Sequence, residues 1–443
     1  MRTATALAIA GGRPAVPPGS HAHWPQLTAA DRAALARVLD RGVLWGPSAP
    51  EAGALEREWA DYIGARHCLL TNSGTAALHC AVVGAGVRPG DEVIVPAFSF
   101  VATPMAVLHA GAMPVFADIE EQTCTLDAGL VEELITKRTR AVMPVHAHGL
   151  PADMDEIRAI AARHGLAVIE DAAQAHGALY RGVPVGALSD GAAFSLNGSK
   201  HLPAGEGGLF VTNDDQAARA ARRLAVFGED TPPPVRPTQL RGYWAHGIGW
   251  NYRSHELTAA LARAQLTRLD ATVAAAQRNA EILSHGLNSL PGFVPPHVPE
   301  DRTCVYYRYR VRLVGEELGF SGTPVEFRDR ILHALREEGV AASLWQLLPL
   351  PAQPVFRRPF GPWQPGSDAE PLAPWDRGEH PEAARLLESS IVLGTAEEPL
   401  FAQPAGLMER YLEAFEKVVE GIGSVLTPDY RPVEPWPRRQ PPL

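Results

Sequence analysis

The chain has 443 residues, 46% of them hydrophobic and 20% charged, and carries a formal net charge of −10. Such a length exceeds what one core can serve and the composition is that of a globular protein, while the acidic balance and the lack of any basic run exclude a nucleic-acid surface. Four cysteines (Cys68, Cys80, Cys124, Cys304) without a C-x-x-C or a matching histidine cluster argue against a zinc site and for a reducing, cytoplasmic setting, and no apolar stretch is long enough to span a membrane or serve as a secretion signal.

Residues 1–24 read as an N-terminal arm. From 65 to 215 short apolar runs alternate with helical patterns. Strands are expected at 67–71, 92–96, 114–118, 140–145, 166–171, 191–196 and 208–212. Helices are expected at 75–84, 101–110, 130–135 and 153–164. This rhythm predicts an α/β fold with a mostly parallel sheet covered on both faces by helices, and ligands gather at the carboxyl ends of such strands. A long helical pattern over 255–290 bridges to a second, α+β domain with an alternating strand at 304–313, a helix at 326–338 and a closing helix at 405–425. The expected division is a large domain over 25–270 and a small one over 271–428. A segment rich in Pro, Trp and Phe interrupts the small domain at 349–381, and a proline-rich tail follows at 429–443.

Of the 40 basic residues only three are lysines: Lys137, Lys200 and Lys417. Arginine holds surface charge equally well but does not become a nucleophilic amine. Lys137 and Lys417 read as solvated surface charges. Lys200 lies between small residues and a glycine-rich turn, Ser-Leu-Asn-Gly-Ser-Lys-His-Leu-Pro-Ala-Gly-Glu-Gly-Gly, which suggests Schiff-base chemistry with a carbonyl, as with pyridoxal phosphate. Asp171 ends a buried strand, where a carboxylate needs a cation or strong donors, although a helix cap would also explain it. Asn72-Ser73-Gly74-Thr75 turns from a strand into a helix, a seat for phosphate or merely a capped end. Phe100 opens a helix at the next strand end, where it could stack on a flat ring or belong to the core.

In order, these residues and Asn251 in G-W-N-Y-R-S-H-E-L-T-A-A-L resemble the DegT/DnrJ/EryC1/StrS aminotransferases over about residues 25–420. These are fold-type I pyridoxal phosphate enzymes acting on keto-sugars and keto-cyclitols. The resemblance implies a Schiff base at Lys200, Asp171 on the pyridine nitrogen and Gln174 on the cofactor's 3-hydroxyl. It also implies Phe100 on the ring and Gly74, Thr75 and Ser195 on the phosphate. Asn251 would reach the cofactor of the neighbouring subunit, so a homodimer with shared sites is implied. The implied reaction is ping-pong transamination from glutamate or glutamine. His148 stands where an aromatic is usual, and its role is open between the site and structure. The segment 349–381 resembles the longer, cyclitol-type branch and reads as a lid or as a packing loop. A sugar dehydratase of the same fold would carry histidine in place of Lys200. A non-catalytic relative would lack part of this set, and no G-x-G-x-x-G supports a nicotinamide enzyme.

Overall fold

The structure is a computed structural model and describes residues 6–46, 49–229, 244–357, 376–427 and 430. The chain opens with α1 (Ala29–Arg41) and α2 (Pro50–Ile63) and then enters the large sheet through β1 (His67–Thr71). There follow α3 (Gly74–Gly84), β2 (Glu92–Pro96), α4 (Ala102–His109), β3 (Met113–Ala117), β4 (Thr139–Val142), α5 (Met154–His164) and β5 (Ala167–Asp171). A hairpin of β6 (Leu179–Tyr180) and β7 (Val183–Pro184) precedes β8 (Gly191–Ser195), β9 (Gly208–Thr212) and α6 (Asp215–Ala225). The seven long strands lie in the order β1-β9-β8-β5-β4-β2-β3, all parallel except β9, which runs against both neighbours. The strands β2, β5, β8 and β9 are buried almost throughout, because helices cover both faces. As β9 alone is reversed, the carboxyl ends of β1, β8, β5, β4 and β2 share one edge.

Next come α7 (Glu256–Leu266) and α8 (Leu269–Leu287), then β10 (Phe293–Val294) and β11 (Tyr309–Leu313), α9 (Pro324–Glu337) and β12 (Ala342–Ser343). The last elements used below are α10 (Pro381–Glu388), β13 (Ser390–Leu393) and α11 (Ala405–Glu420). An antiparallel sheet in the order β10-β11-β13-β12 packs its own core with α9 and α11. The helix α8 joins the two cores: Leu269 and Val273 belong to that of the large sheet, and Ala280, Leu283 and Leu287 to that of the small one.

Four sequence expectations need correction. The helix expected at 130–135 is a pair of 3-10 turns, Ala128–Leu130 and Glu132–Leu134, closed by i→i+3 bonds after Asp127 caps the first. The helical run over 255–290 breaks at Thr267 and Arg268, where the Arg268 side chain leaves to bond Thr28 and the buried Asp31 of α1. The strand expected over 304–313 begins only at Tyr309, since Tyr306 adopts φ 49° and turns the chain out of the ladder. Lys417 is not a solvated charge, because its side chain is 12% exposed and its ammonium lies 2.5 Å from the buried Glu338. Lys137 is exposed, as expected. The lid or packing role read for 349–381 falls mostly on residues 358–375, outside the described residues, as does nearly all of the 429–443 tail.

Candidate active site

The shared edge of the large sheet gathers the chemistry. Asp171 ends β5 and sits beside Ala193 of β8, whose continuation carries Lys200. Gly208, the first residue of β9, pairs with Ser195 on one side and with Thr71 on the other. This brings the start of α3 against β8. A Cβ on Gly74 would lie 2.9 Å from Ser195 Cβ, and one on Gly208 would lie 2.3 Å from the Ser73 carbonyl oxygen. Both positions therefore require glycine. Ser73 caps the helix by accepting the Ala76 N–H at 3.1 Å. The first N–H groups of a helix have no partner inside it, so those of Gly74 and Thr75 are available to an anion, with Ser195 Oγ alongside.

Asp171 is buried, 4% exposed. Its Oδ2 accepts from Thr103 Oγ1 at 2.7 Å and its Oδ1 from the Ala173 N–H at 3.1 Å. Burial raises its pKa above the ordinary carboxylate value, against the pull of those two donors and of the Lys200 and His146 charges. Such a carboxylate calls for a cation. Thr103 in turn bonds Ser99 Oγ at 2.8 Å, and its N–H reaches the Phe100 carbonyl at 3.2 Å. The Phe100 side chain is 55% exposed at this edge, an accessible aromatic face rather than a core residue.

Lys200 is half-buried. Its Nζ stands 3.9 Å from the centroid of the Tyr307 ring, and its carbonyl accepts from Trp24 Nε1 at 3.1 Å. Burial pushes the Tyr307 phenol up, but the Lys200 and Arg308 charges outweigh it and bring the net value down to about 8. Gln174 is buried, with Oε1 accepting the backbone N–H of His148 at 2.9 Å. His148 holds φ 56° and the following Gly149 φ 93°, a tight left-handed turn at the exit of the β4 strand region. Its ring is buried beside Phe98 and Trp345, and Arg310 Nε donates to its Nε2 at 3.0 Å.

Asn251 meets this group through its backbone at Asn72, the residue before Ser73, while its side chain turns to Arg253. It is exposed, its Oδ1 accepts from Arg253 at 3.1 Å, and its carbonyl accepts from Asn72 Nδ2 at 3.2 Å. Sequence reading missed Trp24, Thr103 and Tyr307. Thr103 lay inside the stretch around Phe100, but Tyr307 looked like one position of an alternating strand. Among the described residues no group of three His, Cys, Asp or Glu is placed to hold a metal ion.

An amine, a buried acid and an anion seat at the carboxyl edge of a parallel sheet define a site for a phosphorylated, nitrogen-bearing ring. Residues 25–367 match the model of the DegT/DnrJ/EryC1/StrS aminotransferase family. The chain belongs to that family and is an aminotransferase dependent on pyridoxal phosphate. It is 43% identical over 286 residues to GDP-perosamine synthase of Caulobacter vibrioides, covering 64% of this chain and 73% of the relative. It is 38% identical over 434 residues to L-glutamine:scyllo-inosose aminotransferase of Streptomyces griseus, covering 95% of this chain and 99% of the relative. The crystal structure of 3-amino-5-hydroxybenzoic acid synthase superposes with a TM-score of 0.79 at 30% identity, covering 93% of this chain and all of that one. The residues present fit pyridoxal phosphate: Asp171 lacks a full counter-charge, and the glycine-lined seat would be filled by a single Cβ.

Proposed function

We propose that this enzyme transfers the amino group of L-glutamine to a keto-cyclitol. What carries the substrate reading is the similarity to the scyllo-inosose aminotransferase, which runs through nearly the full length of both chains. The residues are assigned as follows. Gly74, Thr75 and Ser195 would hold the cofactor's phosphate, Asp171 would pair with its ring nitrogen, Gln174 would meet its 3-hydroxyl and Phe100 would cover its face. When bound, the cofactor supplies an electron sink that lets a C–H bond beside nitrogen release its proton.

The rest is done by the chain's own groups. Thr103 and the Ala173 N–H hold Asp171 in one orientation, and the buried setting keeps water from competing for its charge. Lys200 Nζ would take the proton from the donor's α-carbon and return it to the carbon on the far side of the shared nitrogen, and the reverse transfer would serve the acceptor. Tyr307 supports that amine from below through its ring face, and Trp24 fixes the loop through the Lys200 carbonyl.

The assembly belongs to the proposal as well: a homodimer, cytoplasmic, with Asn251 completing the partner subunit's site. Large exposed side chains cluster around Asn251, with Trp244 74%, Ile248 89% and Trp250 43% exposed, as a face buried by a second copy would be. Each chain divides into a cofactor domain over 25–270 and a small domain over 271–428. No helix among the described residues is long and apolar enough to cross a membrane. The decisive test is Lys200→Ala: the variant is expected to lose both turnover and the absorbance band of lysine-bound cofactor. Retention of both would end the assignment.

A further inference from the structure

Lys200 is carried by the large sheet, yet Trp24, Val305, Tyr307 and Phe401, which hold it and the next residue, lie outside that sheet's part of the chain. The Lys200 carbonyl accepts from Trp24 Nε1 at 3.1 Å, and its Nζ stands over the Tyr307 ring. His201 is buried, its Nε2 lies 2.9 Å from the Val305 carbonyl, and its ring stacks on Phe401 with centroids 4.2 Å apart. A carbonyl only accepts, so the proton of that imidazole sits on Nε2. Burial keeps the ring neutral, with its pKa lowered to about 3, and it adds no charge beside the lysine. Phe401 in turn meets Trp24 edge to face, with centroids 4.9 Å apart. Phe401 and Tyr307 share one small apolar cluster with Ala276 of α8, and Trp24 packs against it.

The backbone around Trp24 belongs to the small domain. Residues 8–24 are tied to it at intervals. The Val16 N–H donates to the Glu338 carbonyl at 2.9 Å, and His21 Nε2 lies 2.9 Å from the Tyr411 hydroxyl. Ala22 exchanges two bonds with the buried Gln403 side chain, its N–H donating at 2.8 Å and its carbonyl accepting at 2.9 Å. The Trp24 N–H donates to the Glu397 carbonyl at 2.7 Å. One residue thus has its backbone on the small domain and its indole on the loop of the large one that carries the amine.

We propose that Trp24 is a positioning residue for Lys200, the point at which the arm and the small domain set where the reacting amine stands. This rests on the reading of Lys200 as that amine and extends it to the groups that aim it. A lysine stem is flexible, and proton transfer needs the amine on one line with the carbon it serves. The indole N–H fixes the base of the stem, Phe401 and Val305 fix the residue after it, and the Tyr307 face receives its tip. Misplacing such a group by about 1 Å costs up to about 100-fold in rate.

The test is Trp24→Phe, which keeps a ring against Phe401 and removes the N–H. In the holoenzyme the half-reaction is followed as loss of the lysine-bound cofactor band on adding L-glutamine, or L-glutamate if glutamine is inert. At saturating donor the rate constant, which does not depend on how many sites are intact, should fall about tenfold or more, while the half-saturating concentration changes less than about twofold. In cofactor-free protein the ionisation of Tyr307 should move to higher pH, because the ammonium is no longer held over its ring. A merely structural defect lowers Tm and the number of sites but moves neither measure. An unchanged rate constant overturns the proposal, and so does a tyrosine step that moves in Lys200→Ala but stays in Trp24→Phe. Phe401→Leu, which loosens His201 and leaves the indole in place, should shift both measures in the same direction. It decides by the same rule if Trp24→Phe does not fold. If Lys200→Ala keeps its turnover and its band, the reading of the lysine itself fails. An inactive Lys200→Ala beside an unchanged Trp24→Phe defeats only the positioning.

Discussion

At the scale of single residues, the site is a set of groups whose properties depend on what faces them. Tyr307 makes the point most sharply. Tyr62, Tyr309 and Tyr411 are all driven upward by burial, while Tyr307, itself buried, is brought to about 8 by the Lys200 and Arg308 cations with help from the Ser199 hydroxyl. Its folded-state pKa lies below the unfolded value of about 10. The native state therefore favours the phenolate, and this group adds stability as pH rises from 8 towards 10 and loses it as pH falls through 8. In cofactor-free protein, absorbance near 295 nm should show one tyrosine ionising near pH 8. That step should vanish in Tyr307→Phe and move to higher pH in Lys200→Ala; a step unmoved by the lysine change would refute the electrostatic cause. Lys200 and Asp171 were legible in the sequence because their residue types are unusual where they stand. Tyr307, Arg308 and Arg310 were not, because alternation over 304–313 reads as an ordinary strand. Only the left-handed turn at Tyr306 keeps Tyr307 and Arg308 out of the ladder that Arg310 joins, and nothing in the letters Val-Tyr-Tyr announces it.

At the scale of elements, the helices that form the site's floor were legible and their junctions were not. The start of α3 at Gly74 follows from Ser73 as cap, and the β-α-β rhythm places the strands of the large sheet within a residue or two, except β4, which ends three residues before the expected 145. The break between α7 and α8 depends on where one arginine finds an acid more than two hundred positions away, which local pattern cannot carry. The same holds for Lys417 on α11. It anchors Glu338, which also accepts the backbone N–H groups of Ala8 at 2.8 Å and Ala15 at 2.9 Å. One buried carboxylate thus ties the start of the chain to its last long helix. Lys417→Met leaves that carboxylate without its cation and should cost about 3 kcal/mol, the low end for breaking a buried pair. A thermal melt should show the lowered Tm, and limited proteolysis should cut first within the opening twenty or so residues. An unchanged melting point would mean that the two N–H donors suffice.

At the scale of the whole molecule, the proposed sharing of sites between subunits has a direct genetic test. If Asn251 serves the partner's cofactor, Lys200→Ala and Asn251→Ala subunits should be inactive alone. Refolded together at equal ratio they should regain about a quarter of wild-type activity, since random pairing makes half the dimers hybrid and each hybrid has one intact site. No recovery would place Asn251 in its own subunit's site or outside any. The sequence carried the family and the parallel sheet because motif order survives without knowledge of contacts. It could not carry the meeting of Trp24 with the Lys200 loop, which needs distant parts of the chain in place.

The reversed strand β9 has a consequence for how the protein comes into being. The anion seat begins at the end of β1, early in the chain, yet its wall is built by Ser195 and Gly208, which arrive only after the rest of the large sheet. Among the described residues β1 hydrogen-bonds to no other strand than β9. During synthesis the first strand must therefore wait at an open sheet edge until the last one emerges, a long-range closure of the slow kind. The ability to take up cofactor then waits for that closure, and its appearance reports that the sheet has closed.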